Sequence, residues 1–310
     1  MRSAVLFLVF NRPDTTKKVF AAIRAAKPPK LYIAADGPRS DRPSDKEACE
    51  GVRAIATAVD WPCEVKTLFR EHNLGCKMGV STGINWFFEN EEEGIILEDD
   101  VLPLPSFFPY CDELLARYRH NDQVWMVSGS NLISDQIDPQ ASYFFSRNAL
   151  IWGWASWRRA WQHYDVDLHD WPQLKQERWL GRVFANQPLL ISHWTYLFNE
   201  LYAGKRNTWD YQCAYTCWRI GALTITPAEN LTENLGFGEN ATHTSSQKPA
   251  FLDRALPKNL AFPLRHPNEV ITNESADALV FKQVHGISLK NAIKRLIKSL
   301  IQKPLASFRK

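Results

Sequence analysis

Short apolar runs alternate with stretches of helical periodicity over the first hundred residues. The apolar runs, which predict buried strands, are Ala4–Phe10, Leu31–Ala35, Cys63–Phe69 and Gly94–Leu97. Apolar positions spaced three or four residues apart predict a helix that Asp14 or Thr15 caps and that runs through Ala26, and further helices over Ser44–Ala58 and Met78–Glu89. This alternation is typical of βαβ units and predicts an α/β protein with a mostly parallel central sheet flanked by helices.

Polar residues follow three of these predicted strands at the point where each strand ends. Asn11 and Arg12 follow the first, Asp36 follows the second, and the tripeptide Glu98–Asp100 closes the fourth. Because the carboxyl ends of parallel strands meet at one edge of a sheet, we expect these side chains to gather there.

The second half of the chain carries further strand and helix signals. Val124–Ser130 predicts a strand, Tyr211–Ile220 a helix and Ala222–Ile225 a short strand. From Leu289 onwards the apolar residues keep to one helical face, and the opposite face is basic. We expect a C-terminal extension over residues 251–310 that contains a basic amphipathic helix.

Charge is distributed unevenly along the chain. The formal net charge of the 310 residues is +3, but seven Lys and Arg residues and no acid lie within residues 289–310. The net charge of the remaining body, residues 1–288, is therefore near −4. Such a body does not indicate a nucleic-acid partner. The basic helix is suited to bind an anionic membrane surface, where each basic residue near the headgroups contributes roughly 1 kcal/mol of binding free energy. The alternative is that its apolar face docks on the catalytic domain or a partner subunit.

Cysteine use and hydropathy indicate the compartment. Six cysteines occur without a CxxC pair, which argues against a zinc site and fits reduced thiols. No stretch reaches the length needed to span a bilayer, and Ala4–Phe10 is too short for a secretory signal core. We therefore expect a cytoplasmic protein, peripheral at the inner face of the cell membrane if the basic helix binds there.

The acidic tripeptide is the strongest chemical signal in the sequence. Consecutive carboxylates at Glu98, Asp99 and Asp100 repel one another, and a divalent cation that bridges to phosphate oxygens offsets this repulsion. The alternative is a solvated acidic turn. At the same edge, Asp36 can accept hydrogen bonds from a ribose and base, while Arg12 and Lys77 can face a diphosphate. Together these residues predict a pocket for a nucleotide diphosphate with Mn²⁺ or Mg²⁺.

The order of short motifs resembles a known family. Phe10-Asn11-Arg12-Pro13, Ala35-Asp36-Gly37, Asn73-Leu74-Gly75, and Ile96 to Val101 followed by Phe107-Phe108-Pro109-Tyr110 resemble the GT-A fold (Rossmann-like) nucleotide-sugar glycosyltransferases, in particular the N-acetylglucosaminyltransferase I-like branch. The resemblance implies that Asp100 contacts the metal, that Asp36 helps to hold uridine, and that Asn11 and Arg12 belong to the donor site. It runs from about Ala4 to about His243.

Residues for the acceptor and for the chemistry are expected further along the chain. Trp152-Gly153-Trp154, which precedes a helix expected to begin near Ser156, resembles the family's Gly-Trp segment, and exposed indole faces there would stack on sugar rings. Inverting transfer needs one carboxylate to take the acceptor's proton. Asp210 matches the position of the family's catalytic aspartate, although it also reads as a helix cap. Asp165, Asp167 and Asp170 are rival bases, but they lie in a Trp- and His-rich linker.

The resemblance also implies a mobile loop ending in a histidine near the donor, which makes His243 a candidate ligand of the diphosphate or the metal. The expected organisation is a glycosyltransferase domain over residues 1–250, divided into a nucleotide-binding half (1–125) and an acceptor half (126–250). The expected partners are a nucleotide-diphosphate sugar, with a UDP-sugar first, and a glycan or lipid-linked acceptor. Alternatives are a sugar nucleotidyltransferase and a non-catalytic carbohydrate-binding or scaffold protein on the same fold.

Overall fold

The computed structural model describes residues 1–237 and 249–291. These residues form two compact units. The first comprises Met1–Val166 and Asn207–Asp277, and the second comprises Asp167–Arg206 with the described residues from Ala278 onwards. All six cysteines lie in the described part and are free thiols.

The amino-terminal part of the first unit consists of four parallel strands and the helices between them. The strands are Ala4–Val9 (β1), Lys30–Ala35 (β2), Glu64–Phe69 (β3) and Glu93–Glu98 (β4), hydrogen-bonded in the order β3-β2-β1-β4. The helices are Pro13–Ala26 (α1), Ser44–Ala56 (α2) and Gly75–Asn90 (α3). β1 is buried along its whole length, since β2 and β4 are hydrogen-bonded to its two edges and α2 and α3 pack against it. The predicted alternation of strands and helices is confirmed here.

The sheet continues beyond β4 with strands of both directions. These are Val124–Ser128 (β6), Tyr143–Ser146 (β7), Trp154–Trp157 (β8) and Leu223–Pro227 (β9), in the order β4-β8-β6-β9-β7. β8 runs antiparallel to β4 and β6, and β7 runs antiparallel to β9. Val101–Pro103 (β5) and Thr232–Asn234 (β10) form a separate antiparallel pair. In the described residues the central sheet therefore has eight strands, and the expected α/β class is confirmed.

The remaining helices complete the two units. The first unit holds Phe107–Tyr118 (α4), Arg158–Trp161 (α5), Asp210–Arg219 (α9) and a 3₁₀ turn at Ala250–Asp253. The second unit holds Trp171–Gln176 (α6), Trp179–Val183 (α7) and Pro188–Tyr202 (α8), while Glu274–Gln283 (α10) begins in the first unit and ends in the second. None of the helices described is long and apolar enough to cross a bilayer.

Two local predictions were wrong. The helix expected near Ser156 begins instead at Arg158, because Trp154–Trp157 pairs with both β4 and β6 as a strand. The first helix begins at Pro13, whose fixed φ favours a first helical position, and among the described residues no side chain caps its start as Asp14 or Thr15 was expected to do. Most of the predicted basic helix lies in residues 292–310, outside the described residues, and stays a prediction.

Candidate active site

A cavity of ≈ 510 Å³ lies in the first unit beside the carboxyl ends of β1, β2 and β4. Most of the predicted donor and catalytic residues line it, namely Arg12, Asp36, Glu98, Asp99, Asp100 and Asp210. Trp152 lines it as well. The sheet register explains this gathering, since Leu8 pairs with Ala34 on one side and with Glu98 on the other, so that the three strands end at one level.

Arg12 binds two of the three acidic residues. Its Nη1 donates to Oδ2 of Asp100 at 2.7 Å, and its Nη2 donates to Oδ1 of Asp99. The other oxygen of Asp99 accepts the backbone N–H of Phe10 at 3.1 Å. Although burial alone would lower the pKa of the Arg12 guanidinium, the charges of Asp99 and Asp100 raise it above its usual value. Arg12 therefore remains cationic at every ordinary pH.

Burial raises the pKa of two carboxyl groups of the tripeptide, those of Asp99 and Glu98. It raises the pKa of Asp99 to about 6, against the opposing effect of Arg12. The pKa of Glu98 lies well above its usual range, first because of burial and second because of the neighbouring charge of Asp100. Glu98 is therefore the carboxyl group of this tripeptide best suited to carry a proton near neutral pH.

Asp36 connects the end of β2 to the start of α3. Its carboxylate accepts the backbone N–H groups of Leu74 (3.0 Å) and Gly75 (3.2 Å) and the side-chain amide of Asn73 (3.0 Å). Burial raises the pKa of Asp36, and the backbone donors of Leu74, Gly37 and Gly75 offset part of this rise. Asp36 thus fixes the loop before α3 while it lines the cavity.

Asp210, the first residue of α9, also lines the cavity. The hydroxyl group of Thr208 donates to Oδ1 of Asp210. Asn207, also in the lining, accepts the backbone N–H of Lys77 at 3.0 Å, which joins this segment to α3. Burial, followed by the charges of Glu98 and Asp210, raises the pKa of the Cys76 thiol to about 12, so this lining thiol is neutral.

The rival aspartates and two expected donor residues lie elsewhere. Asp165 is outside the cavity lining, and Asp167 and Asp170 belong to the second unit. Lys77 and Asn11 do not line the cavity either; the side-chain amide of Asn11 donates to Asp45 at 2.8 Å. His243 lies outside the described residues.

The Trp152-Gly153-Trp154 segment divides between the cavity and the core. Trp152 lines the cavity, and its ring lies edge-on to Phe237 with centroids 6.0 Å apart. Gly153 has φ +70°, and a Cβ there would lie 2.9 Å from the methyl group of Thr232. Trp154 is only 1% exposed and stacks between Trp125 and Trp209. The expectation of an exposed Trp154 face was wrong, because β8 lies between β4 and β6 and is buried at every position.

Residues 234–237 pass directly over Asp100. The backbone N–H of Leu235 donates to the carbonyl oxygen of Asp100 at 2.7 Å. A Cβ at Gly236 would lie 2.2 Å from Oδ2 of Asp100, so only glycine fits. The pairing of β10 with β5 holds this segment in place. The chain thus covers the carboxylate that Arg12 binds.

Two lining residues were missed from the sequence. Arg39, which follows Asp36 by three positions, lines the cavity and binds Asp45 through its Nη2 at 2.8 Å. Asn207, which precedes Asp210 by three positions, also lines the cavity and was not among the predicted site residues. The signal for Arg39 is a cation close behind the β2 aspartate, whereas no local pattern marks Asn207.

The tripeptide can be tested as a site for Mn²⁺ or Mg²⁺. Within residues 1–237 and 249–291 no three His, Cys, Asp or Glu side chains form a group that could hold a metal ion. Asp99 and Asp100 do offer the hard oxygen ligands that these ions prefer, and they already hold one cation, the guanidinium of Arg12. Asp99 and Asp100 would therefore supply part of the ligand set of a divalent cation, and other ligands would be needed to complete it.

No protein-family model and no curated protein sequence matches this chain. Among solved structures, the chain is similar to HddC from Yersinia pseudotuberculosis, with 7% identity, a TM-score of 0.30, and coverage of 51% of this chain and 77% of that one. It is also similar to the apo form of mouse xyloside xylosyltransferase 1, with 10% identity, a TM-score of 0.33, and coverage of 70% and 81%. Values this low assign no activity to the chain.

Proposed function

We propose that the chain is a metal-dependent glycosyltransferase of the GT-A type, which moves a sugar from a nucleotide-diphosphate sugar to a glycan or lipid-linked acceptor with inversion. One observation carries the proposal. Arg12, Asp36, the acidic tripeptide and Asp210, which come from four separate parts of the sequence, line one cavity at the carboxyl ends of parallel strands. Open α/β sheets bind their ligands at this edge.

The proposed donor site uses the lining residues nearest to β1, β2 and β4. Asp36 accepts hydrogen bonds from the nucleoside, for which the resemblance favours uridine, and Arg12 and Arg39 face the diphosphate. In the described lining, four aspartate carboxyl groups outnumber these two guanidinium groups even when Glu98 carries a proton. A diphosphate adds further negative charge, which supports a divalent cation entering with it. Mn²⁺ or Mg²⁺ held by Asp100, with Asp99 and Glu98 beside it, would act as a Lewis acid that stabilises the departing diphosphate.

Asp210 is the proposed general base. Its carboxylate lines the same cavity as the tripeptide, and Thr208 orients it through Oδ1. In an inverting transfer the acceptor hydroxyl loses its proton to this carboxylate as its oxygen attacks the anomeric carbon, and the bond to the diphosphate breaks on the opposite side. Trp152, beside Phe237, supplies the aromatic surface proposed for a sugar ring.

The alternative enzyme, a sugar nucleotidyltransferase, would need a different sequence after the first strand. A nucleotidyltransferase that makes the sugar nucleotide predicts a Gly-rich phosphate loop after the first strand, whereas this chain has Asn11-Arg12-Pro13 there. A carbohydrate-binding or scaffold protein on the same fold would not need Asp210.

Attachment to an anionic membrane through the basic helix, and contact of His243 with the metal or diphosphate, remain proposals from the sequence.

Calorimetric titration of the purified protein with a panel of nucleoside diphosphates, with and without Mn²⁺, tests the donor site. We expect Mn²⁺-dependent binding in the wild type and in Asp210→Asn, and its loss in Asp100→Ala. Asp60→Asn, which alters an exposed ion pair with Arg24, is the matched control and should bind as the wild type does. Absence of binding to every nucleotide under both conditions would refute the proposal.

A second measurement separates the enzyme from the scaffold. Slow hydrolysis of nucleotide sugars, with water in place of the acceptor, is followed as release of the diphosphate. We expect Asp210→Asn to lower the rate by 10²-fold or more, which is typical for removal of a general base, with nucleotide affinity unchanged. Release no faster than without protein, in both the wild type and the variant, would favour the scaffold function, whereas equal rates above that background would reject Asp210 as the base.

A further inference from the structure

The guanidinium of Arg12 occupies the position of a cation between Asp99 and Asp100. It reaches each carboxylate with a separate N–H group, a fork arrangement that matches two anionic oxygens. The side chains of Arg12 and Asp100 are 22% and 17% exposed, whereas that of Asp99 is 3% exposed. Any exchange of cations therefore takes place from the side of Asp100, where the pair faces the cavity.

We propose that Arg12 is an internal counter-ion that competes with a divalent cation for the Asp99–Asp100 pair. It holds the pair while the site is empty of nucleotide, and it leaves the pair when a diphosphate arrives with its metal ion. This inference rests on the proposed donor site. It adds a binding order to that site: metal alone binds weakly, and the diphosphate and metal strengthen each other because the anion draws Arg12 away.

The surroundings of Arg12 support movement toward an anion. Within the part of the chain that the structure describes, the buried Nε–H of Arg12 has no hydrogen-bond acceptor. A buried donor without an acceptor is unfavourable, and a phosphate oxygen would satisfy it. Asp99 keeps the backbone N–H of Phe10 whether or not Arg12 stays, so the carboxylate pair does not lose every partner when the guanidinium moves.

The neighbouring backbone fixes the geometry of the exchange. Gly236 lies against Oδ2 of Asp100, the same oxygen that accepts Nη1 of Arg12. With one side of this oxygen covered by backbone and another by the guanidinium, a metal ion reaches it only in place of Arg12. Two cations on one carboxylate pair would also repel each other. Both conditions favour exchange at this oxygen over joint occupation.

Titration with Mn²⁺ alone tests the competition, with unbound Mn²⁺ followed by electron paramagnetic resonance. Arg12→Met removes the charge and keeps much of the side-chain volume; we expect it to lower the Kd for Mn²⁺ by at least tenfold relative to the wild type. Adding Asp100→Asn to Arg12→Met should abolish this gain. Arg24→Met removes a guanidinium from the exposed pair with Asp60 and should leave the Kd unchanged.

Thermal unfolding reports whether Arg12→Met folds. If it does not, Arg12→Lys still tests the proposal. A single ammonium group cannot bridge both carboxylates as the fork does, so the Kd for Mn²⁺ in Arg12→Lys should lie between those of the wild type and Arg12→Met. If the wild type and every folded Arg12 variant bind Mn²⁺ equally, or if none binds it, the competition is refuted.

Repeating the titrations with uridine diphosphate separates this inference from the proposed function. We expect the nucleotide to strengthen Mn²⁺ binding more in the wild type than in Arg12→Met, because only the wild type has a guanidinium to displace. Nucleotide binding with equal Mn²⁺ affinities in both proteins would keep the donor site and reject the competition. Tighter Mn²⁺ binding in Arg12→Met without any nucleotide binding would keep the competition and reject the donor site.

Discussion

Asn207 accepts the backbone N–H of Lys77 through its Oδ1 at 3.0 Å, across 130 residues of sequence. Lys77 is the third residue of α3, so this bond satisfies one of the N–H groups that a helix leaves open at its start. The carboxylate of Asp36 accepts the backbone N–H groups of Leu74 and Gly75, which lie at the beginning of the same helix. Because Asn207 precedes Asp210 by three positions, one helix start fixes both the nucleotide side and the proposed base.

Replacement of Asn207 should therefore separate binding from catalysis. We expect Asn207→Ala to lower kcat for nucleotide-sugar hydrolysis by about tenfold or more, with a small change in nucleotide affinity, because the segment before Asp210 loses its hydrogen bond to the backbone of Lys77. The free energy of unfolding should fall by about 1 kcal/mol, as for loss of a helix cap. Asn207→Asp keeps an accepting oxygen where a negative charge is also favoured, and it should retain more of the rate than alanine. Equal losses in both variants would contradict this role.

Gly236→Ala should disrupt the acidic site without unfolding the protein. The added Cβ would lie 2.2 Å from Oδ2 of Asp100, so either the carboxylate or residues 234–237 must shift. We expect nucleotide binding in the presence of Mn²⁺ to weaken by about tenfold or more in calorimetric titrations.

Gly51→Ala is the matched control for this variant. Gly51 lies within α2, and a Cβ there would meet only the ring of Pro13, at an ordinary 3.8 Å. Alanine is the better helix former, so the control should bind normally and gain roughly 0.5–1 kcal/mol of stability. Normal binding by Gly236→Ala would show that Asp100 tolerates displacement.

The raised pKa of Glu98 makes a prediction about pH. A carboxyl group whose pKa is higher in the folded than in the unfolded protein binds its proton more tightly when folded, so stability is lost as pH rises above the unfolded value of about 4.5. The slope approaches about 1.4 kcal/mol per pH unit until Glu98 ionises in the folded state. Glu98→Gln removes this loss, so its stability relative to the wild type should increase from pH 5 to pH 8.

Urea unfolding at pH 5, 6, 7 and 8 measures this difference. Glu50→Gln, on an exposed position of α2, is the control and should show a constant difference from the wild type. A pH-independent difference for Glu98→Gln would mean that Glu98 is ionised in the folded protein throughout this range.

The two tryptophans around Gly153 should behave differently when truncated. Trp154 is buried between two other indole rings, so Trp154→Ala should lower the free energy of unfolding by about 3–5 kcal/mol. Trp152 is half-buried at the cavity, and Trp152→Ala should destabilise less and weaken binding of the acceptor. Urea unfolding and acceptor titration separate the two effects. Equal destabilisation would assign Trp152 to the core.

The first strands and their common edge could be predicted because their signals are local. β1, β2 and β4 are short apolar runs, and each polar group at the edge follows its strand directly, so periodicity and chain order determine their placement. Arg12, Asp36 and the tripeptide were therefore predicted as one group, and the structure brings them to one cavity.

Contacts between distant segments were not predictable in the same way. The burial of Trp154 depends on β8 inserting between β4 and β6, which no pattern within Trp152–Trp157 reveals. The same is true of the bond from Lys77 to Asn207. It is also true of the pairing of Arg12 with Asp99 and Asp100, since the sequence indicated Arg12 only as a cation that could face a diphosphate. Such partners are set by tertiary packing rather than by local sequence.

The stacked indole rings have a spectroscopic consequence. Trp125 and Trp154 are 6.3 Å apart with their planes at 10°, and Trp154 and Trp209 are 6.1 Å apart at 24°. Rings this close and this nearly parallel couple their electronic transitions, so the near-ultraviolet circular dichroism of the protein reports the geometry of the stack. Trp209 also lines the cavity next to Asp210, so the protein carries an intrinsic optical probe that extends from the middle of its sheet to the proposed catalytic base.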